Sequence, residues 1–245
     1  RHPTLVAAWA TQLAVGFVLA GAACAAAITL WKETTAPRGI ADDEVMLVHP
    51  PYFADGRRVP TTDVLRVLRA VDGVRGVSAL YQVPYGRNAW HAGISITPFP
   101  SPRLMSSVYL ADEHALETLG ARLVLGRGFG PDEFHAYGGD SSRLHDSPLP
   151  AIITASLARR LYPDRDPLGL PMYVRGATPL RIIGVVEDLA LPAGAHHPDH
   201  GNLGMLLPLK VANATDAHFL LRMPAAGEAQ RIPIAMDRAT LWRAL

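Results

Sequence analysis

Two regimes of apolar patterning divide this chain of 245 residues. Across residues 5–30, 26 consecutive positions carry no Asp, Glu, Lys, Arg or His. At 1.5 Å per residue a helix of that length runs roughly 39 Å, enough to cross a hydrocarbon core of ~30 Å with some tilt. Trp9 and Trp31 stand 22 residues apart, roughly 33 Å along the axis, which suits indoles at the two headgroup belts. The pattern predicts a single transmembrane helix over 1–32 and a separate domain over 40–245. A cleaved secretory signal is the alternative, with Ala23-Cys24-Ala25 or Ala25-Ala26-Ala27 as a small-x-small site, but the apolar part of such signals spans only ~7 to 15 residues. A lipoprotein signal ending at Cys24 is disfavoured because Gly21 stands where that signal has Leu. Within the helix, Gly16, Ala20, Cys24 and Ala27 form a ridge of small residues that lets a partner helix approach closely. Arg1 and His2 before it, and Lys32 and Arg38 after it, leave its orientation open.

After Trp31 the apolar clusters are short. Residues 44–48 predict a strand, and Thr61-Thr62-Asp63 cap a helix whose Val64, Leu65, Leu68 and Val71 share one face opposite Arg66 and Arg69. Asp72-Gly73 ends that helix, and residues 77–83 return as a strand, giving a strand–helix–strand unit. A Pro-rich turn at 98–102 precedes a strand over 104–110. Asp112 then opens a short helix with Ala115, Leu116 and Leu119 inward and Gly120 as its stop, which repeats the plan. Residues 151–153 form a strand that leads into a helix carrying Leu157 and Leu161, halted at Pro163. A hairpin around Arg175-Gly176 joins 172–174 to 180–186, and strands follow at 205–209 and 219–221. The fold class is α+β: one N-terminal transmembrane helix and a mixed α/β extracytoplasmic domain in two lobes built from strand–helix–strand units.

Composition removes several function classes. With 23 basic and 22 acidic residues the net charge is close to zero, so nothing favours nucleic acid or a polybasic membrane patch. The one Cys lies inside the apolar run, which excludes an intrachain disulfide or a Cys-based metal site. Twenty-one Pro break the domain into short elements joined by stiff turns.

Three ordered motifs carry a family resemblance. The block Leu119-Gly-Ala-Arg-Leu-Val-Leu-Gly-Arg-Gly-Phe-Gly-Pro-Asp-Glu-Phe134 resembles the Gly-Arg-x-Phe-acidic segment of MacB-type, FtsX-like ABC transporter permeases, in their periplasmic core domain. Pro150-Ala-Ile-Ile-Thr-Ala-Ser-Leu-Ala-Arg-Arg-Leu-Tyr-Pro163, then Asp166-Pro-Leu-Gly169, is similar to that family's strand, helix and Asp-Pro-Leu-Gly turn. Leu180-Arg-Ile-Ile-Gly-Val-Val-Glu-Asp188 resembles its Val-x-Gly-Val-Val-x-Asp strand, with Ile182 in the first Val position.

The residues at these motifs have structural uses. Gly126 and Gly128 allow a tight reversal, with Arg127 between them meeting a carboxylate or carbonyl; Asp166, Pro167 and Gly169 make a turn that pushes Leu168 toward the core. Gly184 marks a bulge or a close backbone approach, and Glu187-Asp188 face water at a strand end. Pro131 occupies the third Gly position of a dinucleotide fingerprint, and no Walker loop or Gly-x-Ser-x-Gly elbow occurs. No catalytic residue and no cofactor site is assigned. The rival site is His196-His197-Pro198-Asp199-His200, where His196, His197, Asp199 and His200 offer metal ligands, joined by His91, His135 or His145.

The resemblance implies a non-catalytic permease fragment of the bacterial inner membrane, periplasmic after about residue 32, that couples cytoplasmic ATP hydrolysis to export or signalling outside. It implies three further membrane helices beyond Leu245, a second permease subunit in a dimer, an ABC ATPase that holds the ATP, and a periplasmic or outer-membrane partner. The Pro- and Gly-rich segments 84–102 and 132–145 are expected to be where a partner docks, since exposed loops on a rigid scaffold commonly carry binding. The alternatives are a membrane-anchored metal-dependent hydrolase using the His loop and a single-pass binding or adaptor module.

Overall fold

The computed structural model describes residues 3–35, 39–49, 56–86, 89–98, 104–137, 148–175, 178–190, 192 and 202–225. The chain divides into two compact units, Arg1–Pro37 and Arg38–Leu245. The first is one helix, α1 (Pro3–Thr35), of 33 residues. Gly16, Ala20, Cys24 and Ala27 are all exposed on it, as are Trp9 and Phe17 at 66% and 77%. Among the described residues no helix is long and apolar enough to cross a membrane.

The second unit comprises β1 (Val45–Val48), α2 (Thr61–Arg69), β2 (Gly76–Leu80), β3 (His91–Ser95), β4 (Leu104–Leu110), α3 (Ala115–Leu119), β5 (Leu123–Gly126), β6 (His135–Tyr137), β7 (Leu149–Thr154), α4 (Ala155–Leu161), β8 (Pro171–Val174), β9 (Thr178–Val186), β10 (Gly204–Leu207), β11 (Leu209–Val211) and β12 (His218–Arg222). The large sheet runs β5-β9-β7-β10-β4-β3-β8. Because β8 also pairs with the first half of β9, six of its strands close into a ring, and β5 attaches to the second half of β9. A smaller antiparallel sheet runs β1-β12-β2, and β6 pairs with β11 in parallel.

Alternate residues of the same strands feed two cores. Val108, Leu110, Ala151, Ile153, Met205 and Leu207 join Val64, Leu65 and Leu68 of α2 in one. Tyr109, Ile152, Leu206 and Val186 join Ala115 and Leu119 of α3 in the other. Strands buried on both faces read as continuous apolar runs without a polar side, and Leu149–Thr154 and Gly204–Leu207 are buried at every position.

The expected strand–helix–strand unit is present as β1, α2 and β2; β12 lies between its two strands, antiparallel to both, so β1 and β2 are parallel but not neighbours. One expectation needs correcting. The cap of α2 is Pro60 and uses no side chain; Thr61 Oγ1 is buried without a partner, while its N–H donates to the Ala212 carbonyl at 2.9 Å. At the other helix start the expectation about Asp112 is near the mark. Its Oδ1 accepts from His114 N at 3.1 Å, one residue ahead of α3.

Asp112 also fastens the two sheets together. Lying just past β4, it accepts from Ser78 Oγ at 2.7 Å and from Ala79 N at 2.8 Å, both on β2. Burial raises its pKa, and the bonds from Ser78, Ala79 and His114 oppose that without reversing it. Asp112→Ala would orphan the buried Ala79 N–H and Ser78 hydroxyl and is expected to cost about 2–4 kcal/mol in urea unfolding.

Candidate functional site

The three sequence motifs converge on β9. Gly126 has φ +73°, and a Cβ there would lie 2.2 Å from the Ile183 carbonyl and 2.7 Å from Leu168 Cδ2. Arg127 N donates to the Ile183 carbonyl at 3.0 Å, and Gly169 N, at φ +77°, donates to Ile182 at 2.7 Å. Gly184 sits beside the register shift between β7 and β9, where a Cβ would come within 2.5 Å of the Arg127 carbonyl. The turns at 126–133 and 166–169 therefore rest on the same three residues of one strand. Gly128 differs from expectation: its φ is not positive and a Cβ would meet only Leu116 Cδ1 at 3.8 Å, so the reversal rests on Gly126.

Charged pairs lock these turns. Arg127 grips Glu133 through two parallel bonds of 2.8 and 2.7 Å and donates to the Gly128 carbonyl at 2.9 Å. Glu133 also accepts from Gly130 N at 2.7 Å; the Arg127 bond foremost, aided by that amide, holds its pKa down at about 2. Asp166 accepts from Leu168 N at 3.0 Å, Pro167 is buried, and Leu168 packs on the first core. The Glu187-Asp188 pair does more than face solvent. Asp188 accepts from Ser156 N at 2.7 Å and from Ser156 Oγ, with Arg159 at 3.6 Å, so it anchors the first turn of α4. Glu187 pairs with Arg122 across β9 and β5.

Two further features were not visible in the sequence. A cleft of about 470 Å³ opens between α2, β2 and β11, lined by Thr61, Leu65, Ala79, Asp112 and Val211, with the Glu113–Lys210 ion pair of 2.8 Å at its lip. Burial pushes the Glu113 carboxyl up, but the Lys210 bond and charge outweigh it and the net shift is downward. The second feature is aromatic. Tyr81, Trp90 and Tyr137 meet with centroids 5.7, 6.1 and 6.3 Å apart, and the Arg175 guanidinium lies 5.9 Å over Trp90. Gln82 steadies Trp90 by accepting from its backbone N–H at 2.5 Å. Trp90 comes from segment 84–102 and Tyr137 from 132–145, so the cluster brings together the two stretches expected to dock a partner. Neither is a plain loop: β3 lies inside the first and β6 inside the second.

A family model for the MacB-like periplasmic core domain matches residues 11–230. The chain belongs to that family. No curated protein matches it significantly. Among solved structures it is similar to the extracellular domain of the noncanonic ABC-type transporter YknZ from Gram-positive bacteria, at 16% identity over 76% of this chain and 87% of that one, with a TM-score of 0.45. It is also similar to the periplasmic region of MacB from Actinobacillus actinomycetemcomitans, at 14% identity over 80% and 83%, TM-score 0.44. A domain of a putative permease protein from Porphyromonas gingivalis follows at 15% identity over 74% and 87%, TM-score 0.39.

In this MacB-like domain the rival metal loop, His196, His197, Asp199 and His200, lies outside the described residues, as does His145. His91 is in β3, where its Nδ1 lies 3.4 Å from Ser107 Oγ, and His135 begins β6. Among the described residues no group of three or more His, Cys, Asp or Glu side chains is placed to hold a metal. Cys24 is a free thiol on α1.

The Arg127–Glu133 clamp has a pH signature. Because the folded pKa of Glu133 is depressed to about 2 from 4.5, its contribution is fully present above pH 4.5 and is lost as pH falls toward 2. Arg127 is half exposed, so solvent screening keeps the gain on the order of 1 kcal/mol. Urea midpoints of wild type and Glu133→Gln should differ most above pH 4.5 and converge toward pH 2; a gap that is constant with pH would assign the loss to packing.

Proposed function

We propose that this chain is the first membrane helix and the extracytoplasmic domain of an ABC permease subunit, coupling ATP hydrolysis in the cytoplasm to movement outside the bilayer. The observation that carries the reading is the family match over residues 11–230, which takes in most of α1 together with the β-rich unit. The uncharged run over residues 5–30 supports α1 as a membrane span. A helix that spans alone has no use for a ridge of small residues, so Gly16, Ala20, Cys24 and Ala27 are assigned to packing against the subunit's other membrane helices. Outside, the domain handles a substrate or partner and does not catalyse. Its working parts are the clamped turns on β9, which keep the unit rigid, and the aromatic cluster of Tyr81, Trp90 and Tyr137, which has the residue types enriched at docking hot spots. A dimer of subunits and a separate or fused ATPase complete the assembly.

Two experiments test the reading. The chain should stay with membranes through alkaline carbonate extraction, and Leu19→Arg should impair insertion, since a charge at mid-bilayer costs about 2.5 kcal/mol or more. Release of a shorter soluble product with a new N-terminus near Ala26 would favour a cleaved signal. In the intact subunit, Gly16→Leu and Ala20→Leu should insert and fold normally yet lose transport or signalling and the coupled ATPase stimulation. Full function in both removes the packing role of the ridge, and an intact subunit that co-purifies with no ATPase counts against the permease itself.

A further inference from the structure

One pair of chemically competent side chains lies outside every feature described so far. Val48 of β1 is paired with Phe219 of β12 in antiparallel register, which sets His49, the next residue along, opposite His218. Their imidazole rings meet edge to face, with centroids 6.2 Å apart and planes at 74°. The two sit in different settings. His49 is exposed, whereas His218 is half-buried and its Nδ1 is an interior atom with no hydrogen-bond partner. On the far side of β12, His218 is in register with Leu80 of β2, which offers no polar group to that nitrogen.

An unpaired ring nitrogen inside a protein is costly, and a half-turn about χ2 removes the cost by placing Cδ2 in the buried slot and freeing Nδ1 at the ring's other edge. Burial, and after it the neighbouring His49, hold the His218 pKa below the ordinary histidine value, so the ring is neutral near pH 7 and has a lone pair to give. With metal–nitrogen bonds of about 2.0–2.1 Å, two imidazoles on one tetrahedral ion keep their centroids roughly 5 Å apart. That is about an ångström less than observed, a difference that rotation of the exposed His49 ring supplies.

We propose that His49 and His218 form a two-histidine site for a divalent transition metal, with water in the remaining positions, that staples β1 to β12. Imidazole donors select borderline ions such as Cu²⁺, Ni²⁺ or Zn²⁺ over Mg²⁺ and Ca²⁺, and the order of affinity places Cu²⁺ first. The consequence is mechanical. Among the described residues β1 is an edge strand paired with β12 and is the first strand after the helical unit, so a bound ion ties that edge to the sheet.

The test uses the full chain in detergent with His196, His197 and His200 changed to Ala, so that the other histidine-rich stretch does not bind. Cu²⁺ and Zn²⁺ are titrated in by calorimetry, with Mg²⁺ as control. One equivalent of Cu²⁺ is expected, more weakly one of Zn²⁺, and no Mg²⁺. His49→Ala, a change at an exposed position that leaves the fold in place, should weaken Cu²⁺ binding at least about tenfold. Saturating Cu²⁺ should raise Tm by roughly 5 °C in the parent and not in His49→Ala. A parent that binds no Cu²⁺, or a His49→Ala variant that binds it as the parent does, overturns the site.

Discussion

Backbone packed against backbone along the second half of β9 is the contact on which the large sheet depends. β9 pairs with β7 on one side and, on the other, with β8 and then β5. For β5 to lie there, the chain at Gly126 must turn with φ +73° directly over the Ile183 carbonyl, and Gly184 must leave room for the Arg127 carbonyl. A side chain at either position would lift β5 away from β9, and with it the Arg127–Glu133 clamp. The 166–169 turn leans on the same place through Leu168, and Asp188 at the end of the strand holds α4. The three motifs are thus one junction, and each residue type in them answers a steric or hydrogen-bonding demand made there.

How much of this was legible in the sequence depended on where the signal lay. Helices with one apolar face, and strands closed by Gly or Pro, were found close to their true limits; β4 spans residues 104–110 as expected, and Gly120 ends α3 with φ +70°. The hairpin of β8 and β9 was found for the same reason, a local turn at Arg175. Pairings between distant strands were not legible. Nothing in residues 44–83 indicates that a strand from 218–222 will separate β1 from β2, because register between remote segments leaves no periodic trace. Strands β3, β5, β6 and β11 were missed, three of them only three or four residues long and β5 exposed throughout. At the sites the balance was similar. The turn residues announced themselves by type, but the cross-sheet role of Asp112 and the meeting of Tyr81, Trp90 and Tyr137 arise only from tertiary placement.

Two cores sharing the same strands make the second unit hard to deform internally, since a shift of one strand disturbs packing on both faces. Such a unit suits a body that transmits displacement better than one that must open and close around a reactant. The proposed coupling role asks for that stiffness, together with a partly exposed aromatic cluster and an anchored first helix. Its central claim is that ATP turnover moves this domain. The direct measurement is pulsed electron resonance on intact subunits in nanodiscs, with Cys24 replaced by Ser and a spin label at Arg66, an exposed position on α2. The account predicts that the distance between labels on paired subunits shifts between the ATP-bound and ADP-bound states. An identical distance distribution in both, with ATPase activity intact, would contradict it.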